Sequence, residues 1–161
     1  MDNNTPANLG DVLKYTGFWP RVGASLIDTI ILSVITFPIL IWIYGPEYFD
    51  MDGLIVGFAD FILSWVFPLL AVIAFWVYRQ ATPGKMAISA KIVDVKTGNK
   101  PTLQQYIVRY IGYFLATIPL GIGIFWIAWD PKKQGWHDKL AGTVVINPKT
   151  DGTQTVGFEG S

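Results

Sequence analysis

Cysteine is absent from this 161-residue chain, and histidine occurs once, as His137. Without cysteine there is no disulfide, no thiolate metal site and no thiol nucleophile, and the redox compartment is left unmarked. A lone histidine without carboxylates at metal spacing makes no ligand set, so neither a metal nor a cofactor is expected. Charge is also scarce: Asp, Glu, Lys and Arg make up 15% of the residues, and 12 basic side chains balance 12 acidic ones. Zero net charge supplies no global field for nucleic acid, and no nucleic-acid partner is expected. No phosphate loop, nucleophile elbow, zinc signature or paired-carboxylate motif occurs, which leaves enzyme as the least supported class.

What the chain has in abundance is apolar sequence. Hydrophobic residues make up 52% and the mean hydropathy is +0.40, the composition of a membrane protein with polar loops. The first long run covers residues 19–44. A hydrocarbon core of roughly 30 Å needs about 20 apolar residues, and residues 22–44 supply that length with Asp28 as their one charge. The run is too long for a cleaved signal peptide, holds an acid and lacks a small-residue exit, so it reads as a retained span.

Asp28 is the residue to be explained. A carboxylate at that depth costs roughly 2.5–3.5 kcal/mol on insertion scales, so it is expected to face protein or water and to have a partner. Arg21 lies seven positions earlier, two turns away on the same helix face. One reading of Asp28 is structural, a bond to Ser25, Thr29 or a hydroxyl on another helix. The other is functional: burial raises its proton affinity and a nearby cation lowers it, giving a group that holds a proton or a cation in turn. Arg21 is correspondingly a snorkelling anchor at the membrane interface or the partner of Asp28.

Gly45-Pro46 ends the first span, and the loop beyond it carries Glu47, Asp50 and Asp52 with no Lys or Arg. A second run, residues 61–78, has Asp60 at its start, where the helix dipole favours an acid, and Pro68 as a kink. After Arg79 come Lys85, Lys91, Lys96, Lys100 and Arg109 against one acid, Asp94. The positive-inside rule then places the amino terminus and this basic segment in the cytoplasm and the acidic loop outside. Residues 87–95 have strand character, Thr97-Gly98-Asn99 is a turn, and Thr102 with Gln105 forms a capping box opening a helix near Leu103.

The third apolar region, residues 110–129, is broken by Pro119, Gly121 and Gly123 and flanked by Arg109 on one side and Lys132 and Lys133 on the other. Both flanks read as cytoplasmic. Residues 142–146 are β-like and can pair with 87–95 only if both lie on one side, so a hairpin of two half-helices is favoured over one straight span. Trp19, Trp42, Tyr44, Trp76, Tyr78 and Trp129 read as an aromatic belt. The expected fold is an all-α polytopic membrane protein over residues 1–146. It has full spans near 20–44 and 60–78, a bent hairpin or single span near 104–129, and a small cytoplasmic β-hairpin. Residues 1–10 read as loose, 11–18 as lying along the interface, and 147–161 as a flexible polar tail.

Tyr15-Thr-Gly-Phe-Trp-Pro-Arg21, then Ala24 and Leu26-Ile27-Asp28, then Thr82-Pro83-Gly84-Lys85, then His137-Asp138-Lys-Leu-Ala-Gly-Thr143 together resemble the RDD family of membrane proteins. The family is named for an arginine and two aspartates, which match Arg21, Asp28 and Asp138, and the resemblance runs from about residue 15 to 146. Pro20 stands where many relatives have a second basic residue, so no role for paired arginines carries over. The resemblance implies transport, with cation/proton exchange for some relatives, through a network of Arg21, Asp28 and Asp138; His137, Arg109 and Asp60 are secondary candidates. His137 and Asp138 also suit capping or hydrogen-bonding roles near their turn. The runner-up is a non-transporting adaptor or assembly subunit whose charges are structural and whose sheet binds a partner. So few spans do not easily enclose a pathway, so a homo-oligomer in the bacterial cytoplasmic membrane is expected, with the bilayer and a small cation or proton as its partners.

Overall fold

The computed structural model describes residues 13–148. Its first helix, α1 (Phe18–Tyr44), has 27 residues, and its second, α2 (Phe58–Arg79), has 22. Both are long and apolar enough to cross a bilayer. Along α1 only Arg21, Ala24, Thr36 and Leu40 are buried, whereas Leu26, Ile30, Val34 and Trp42 stand exposed. A helix that is apolar all round and mostly uncovered requires a nonpolar surrounding. In α2, Pro68 lacks the N–H that would bond the Ser64 carbonyl, and the misfit is absorbed as a π turn at Ile62–Val66.

Between α1 and α2 the acidic loop is stapled by Asp60, which accepts hydrogen bonds from the Tyr48 hydroxyl (2.7 Å), the Val56 N–H (2.9 Å) and the Ser64 hydroxyl (2.8 Å). Asp60 therefore sits beside Tyr44, about 24 Å along α1 from Asp28 at 1.5 Å per residue.

After α2 come one short helix, α3 (Pro83–Ala87), and then α4 (Leu103–Thr117). The Thr102–Gln105 capping box opens α4 as expected. At Pro119 the chain reverses, with Leu120 (φ 53°) and Gly121 (φ 76°) in the left-handed region. It re-enters helix as α5 (Ile122–Phe125), continued by a 3-10 turn to Ala128. The two pieces meet at 115°, so the third apolar region is bent and not a straight span. A last short helix, α6 (Trp136–Ala141), packs across α4. Gly112 makes this possible: a β-carbon there would lie 2.8 Å from the His137 Cα.

The strands are β1 (Leu13–Tyr15), β2 (Lys91–Asp94) and β3 (Thr143–Pro148), in the order β1-β3-β2 with both pairs antiparallel. The expected pairing of the two β-like stretches is present, running from Lys91↔Ile146 to Asp94↔Thr143. Three details differ from the sequence reading. The pair is a long-range ladder with α4, α5 and α6 between its strands and not a hairpin. Residues 83–87 are helical, so β2 starts only at Lys91. Residues 13–15 form a third strand, because β3 offers a second edge that they cover. Asn147 and Pro148, read as the start of the tail, belong to β3; the loose amino terminus and the rest of that tail lie outside the described residues. On one face of the sheet Ile92 and Val145 pack with Trp76, Ala90 and Tyr106; on the other, Val93, Val144 and Ile146 pack with Leu13 and Tyr15. Trp76 is thus core and not belt, at 2% exposure, unlike Trp19, Trp42, Tyr78 and Trp129, which are exposed.

Candidate functional site

Asp138 is fully buried and is the point where the helices α1, α4 and α6 meet. From the first turn of α1, Arg21 donates from Nη1 to Asp138 Oδ2 (2.5 Å), from Nη2 to the Lys133 carbonyl (2.6 Å) and from Nε to the Thr16 carbonyl (2.9 Å). From α4, the buried Arg109 donates through Nη1 to Asp138 Oδ1 and to the Thr143 hydroxyl (2.7 Å). Its guanidinium carbon lies 5.4 Å from the Trp76 ring centre and 5.8 Å from that of Tyr113, a cation–π setting. Asp138 Oδ2 also accepts the Gly135 N–H (3.1 Å), closing the first turn of its own helix, α6. Burial alone would raise the Asp138 carboxyl, but Arg109 and Arg21 outweigh it and hold the group well below the usual carboxylate range. Chemically this is a closed clasp, with both carboxylate oxygens occupied by charge-assisted donors.

Asp28 is not part of that clasp. It accepts from the Thr82 hydroxyl at Oδ2 (2.5 Å) and from the Gly84 N–H at Oδ1 (2.7 Å). The expected Arg21–Asp28 pairing is replaced because all three Arg21 nitrogens are engaged elsewhere, while seven residues of helix separate the two Cα atoms by about 10.5 Å. The Thr82-Pro83-Gly84-Lys85 stretch now has a local reason. Thr82 is the N-cap of α3 and Pro83 suits the first helical position. Gly84 is required because a β-carbon would collide with the Ala24 carbonyl of α1. Lys85 is 7% exposed.

Asp28 and Lys85 share a cavity of about 620 Å³ whose remaining wall is mostly apolar and aromatic, including Val72, Trp76, Tyr110, Tyr113, Phe114 and Ile118. Burial lowers the Lys85 ammonium from its ordinary value, and Arg109 and Arg21 lower it further, against the opposing pull of Tyr113 and Asp28. On the other side of Asp28 a smaller cavity of about 160 Å³ lies against Ile31, Leu32, Ile35 and Phe67. The Asp28–Thr82 pair borders both.

A profile of the RDD family matches residues 15–142. The chain belongs to the RDD family. An uncharacterized protein of Rickettsia prowazekii is 32% identical over 82% of this chain and 95% of its own length. Two Bacillus subtilis relatives are similar: the uncharacterized membrane protein YteJ, 30% identical over 84% of this chain and 82% of its own, and the uncharacterized protein YckC, 31% identical over 84% and 86%. No solved structure matches.

In this RDD protein the three signature residues therefore fall into two places. Arg21 and Asp138 are joined, with Arg109 as their third member, and Asp28 stands apart with Thr82, Gly84 and Lys85. Lys85 entered the sequence reading only as a loop charge and as part of a motif. Its position directly after Pro83-Gly84, in the first turn of the short helix α3, was the available signal.

His137 neither caps nor hydrogen-bonds. Its ring stacks on Tyr113 with centres 3.9 Å apart and planes at 18°. Nε2 lies 3.5 Å from Asp138 Oδ2, yet neither ring nitrogen has a hydrogen-bond partner among the described residues. Burial pushes the imidazole down to about 3, with Arg109, Arg21 and Lys85 adding to burial and Asp138 opposing it. The folded value lies below the unfolded one, so the contribution of this neutral ring is complete above about pH 6.5 and is lost as pH falls toward about 3. Since no other histidine exists, stability should fall by about 2 kcal/mol between neutral pH and pH 5. His137→Phe, which keeps the stack, should flatten that slope in denaturant titrations, and an unchanged slope would show that another group titrates.

Proposed function

We propose that this RDD protein is a multi-pass membrane protein that binds and moves a small ion or solute, with Asp28 and Lys85 as the binding groups and the Arg21–Asp138–Arg109 clasp as fixed structure. The observation that carries this reading is the large cavity walled by a half-buried acid and a buried base. The clasp, by contrast, has no free carboxylate oxygen to offer. Cation/proton exchange is the form tested first. Asp28 has two neutral donors and no bound guanidinium, so a proton or a cation can each satisfy its charge, but not both at once. Loading either one competes with Thr82 and Gly84, and that couples occupancy to the seat of α3 on α1.

In this reading the sheet, the amino terminus and the basic segment are cytoplasmic and the Glu47–Asp52 loop is outside, in a bacterial inner membrane. The bent α4–α5 pair enters and leaves on the cytoplasmic side. Two spans and a bent pair do not enclose a path alone, which argues for a homo-oligomer. The adaptor reading finds its support in the saturated clasp. It is weakened by the edge of β2, where Ile92 N–H already donates to the Gln80 carbonyl and the Gln80 side chain donates back, so that edge is not free for a partner strand.

Proteoliposomes carrying an internal pH dye test the proposal. Sodium, potassium or lithium gradients should move protons, and Asp28→Asn should abolish the signal while the protein stays folded. No response to any of the three gradients, or an undiminished one in Asp28→Asn, overturns cation exchange.

A further inference from the structure

Asp28, Thr82 and Lys85 form one end of the large cavity, and Val72, Trp76, Phe114 and Ile118 continue a mostly apolar wall on which the Ser25 and Thr117 hydroxyls are spent on the Val22 and Tyr113 carbonyls. Phe114 and Ile118 are 55% and 77% exposed, so the apolar end opens sideways onto the uncovered flank of the helices. A small hydrated ion would meet polar groups on one wall and hydrocarbon on the others. A molecule with a charged head and an apolar tail would match both ends, and the volume suits it, since ligand sites run from roughly 300 to 1,000 Å³.

The sign of the head follows from the charges on the cavity wall. Of the two, Lys85 is buried and Asp28 is half-buried. Asp138 is spent on the two arginines and both Asp28 oxygens already accept hydrogen bonds. Lys85 remains as the cation on the cavity wall, alongside Trp76, whose indole N–H is buried without a hydrogen-bond partner among the described residues.

We propose that the cavity binds an anionic amphiphile, a carboxylate or phosphate head on an alkyl chain, with the head at Lys85 and the tail leaving between α1 and α4 past Phe114 and Ile118. The inference rests on this cavity being the solute site of the proposed function, and it names the solute class. The head restores to Lys85 the compensation that burial denies it, and the tail covers apolar wall. Entry is sideways from the leaflet nearest the sheet.

The full-length protein in phosphatidylcholine liposomes is labelled in three arms: with a diazirine-bearing fatty acid, with a diazirine-bearing phosphatidic acid, and with a phosphatidylcholine of the same tail. Photolabelled peptides are then mapped. The anionic probes should label the segments holding Val72, Phe114 and Ile118, and the stronger of the two arms identifies the head. Lys85→Met should reduce that labelling by about tenfold or more, the loss of one charge-assisted hydrogen bond. Ile118→Trp, which narrows the mouth and leaves every charge in place, should reduce it as well. Equal labelling by phosphatidylcholine, or labelling indifferent to both substitutions, overturns the proposal. Labelling without cation flux keeps this inference and removes cation exchange; cation flux without labelling does the reverse.

Discussion

Asp138→Asn is expected to cost about 3–5 kcal/mol of stability, the range for breaking a buried ion pair by removing one partner. The reason is the number of charges that depend on one group. Arg109 is fully buried and Arg21 is 8% exposed, and both donate to this carboxylate. Arg109 Nε and Nη2 already lack hydrogen-bond partners among the described residues, so no spare acceptor stands ready there. An asparagine keeps one carbonyl oxygen for two guanidiniums and turns an amide N–H₂ toward the other. Detergent-solubilised protein followed by tryptophan fluorescence on heating or denaturant titration would give the difference. A change under about 1 kcal/mol, the scale of an exposed pair, would show that water screens the clasp. Asp138→Leu combined with Arg109→Met should recover much of the loss, because apolar residues of similar volume often replace a buried pair at little cost. Arg21 lies nearer the surface and can turn outward in that double variant.

Gly84→Ala should cost about 3 kcal/mol, from overpacking and from the loss of hydrogen bonds to a charged acceptor. The added methyl meets the Ala24 carbonyl carbon at 2.7 Å and its oxygen closer still. Both sides of that collision are backbone, one of them inside a 27-residue helix, so no rotamer change relieves it. The short helix α3 must lift from α1, and Asp28 then loses the Gly84 N–H and the Thr82 hydroxyl together. Amide hydrogen exchange across residues 82–88 would speed up in step with the lower melting temperature. Unchanged exchange at residue 84 would mean that the two helices are less closely seated than the geometry requires.

The sequence made some of this legible and hid the rest for identifiable reasons. Span length, the capping box at Thr102 and the break at Pro119–Gly123 are local, and they appear within two residues or so of where they were read. Asp28 was read as needing a partner, with a hydroxyl on another helix among the choices, and the Thr82 hydroxyl fills that place; periodicity names only same-helix neighbours, so neither Thr82 itself nor the Gly84 N–H was legible. The joining of Arg21 to Asp138 came from family resemblance, since no spacing connects residues so far apart. Arg109 looked like a flank charge because nothing in a linear reading distinguishes a lysine or arginine at a helix end from one that Trp76 and Tyr113 enclose. Residues 13–15 are too few to show alternation, and their strand exists because β3 has a second edge.

The sheet has β1 at its earliest-made end and β3 at its latest, and the clasp repeats that arrangement with Arg21 and Asp138. Translation therefore delivers the guanidinium of the first helix long before its counter-ion. Until the final ladder is synthesised, the nascent protein holds an unneutralised cation and an unpaired edge. Maturation is thus a late closing event, and a ribosome that stops short of Asp138 releases a chain with neither the clasp nor the ladder.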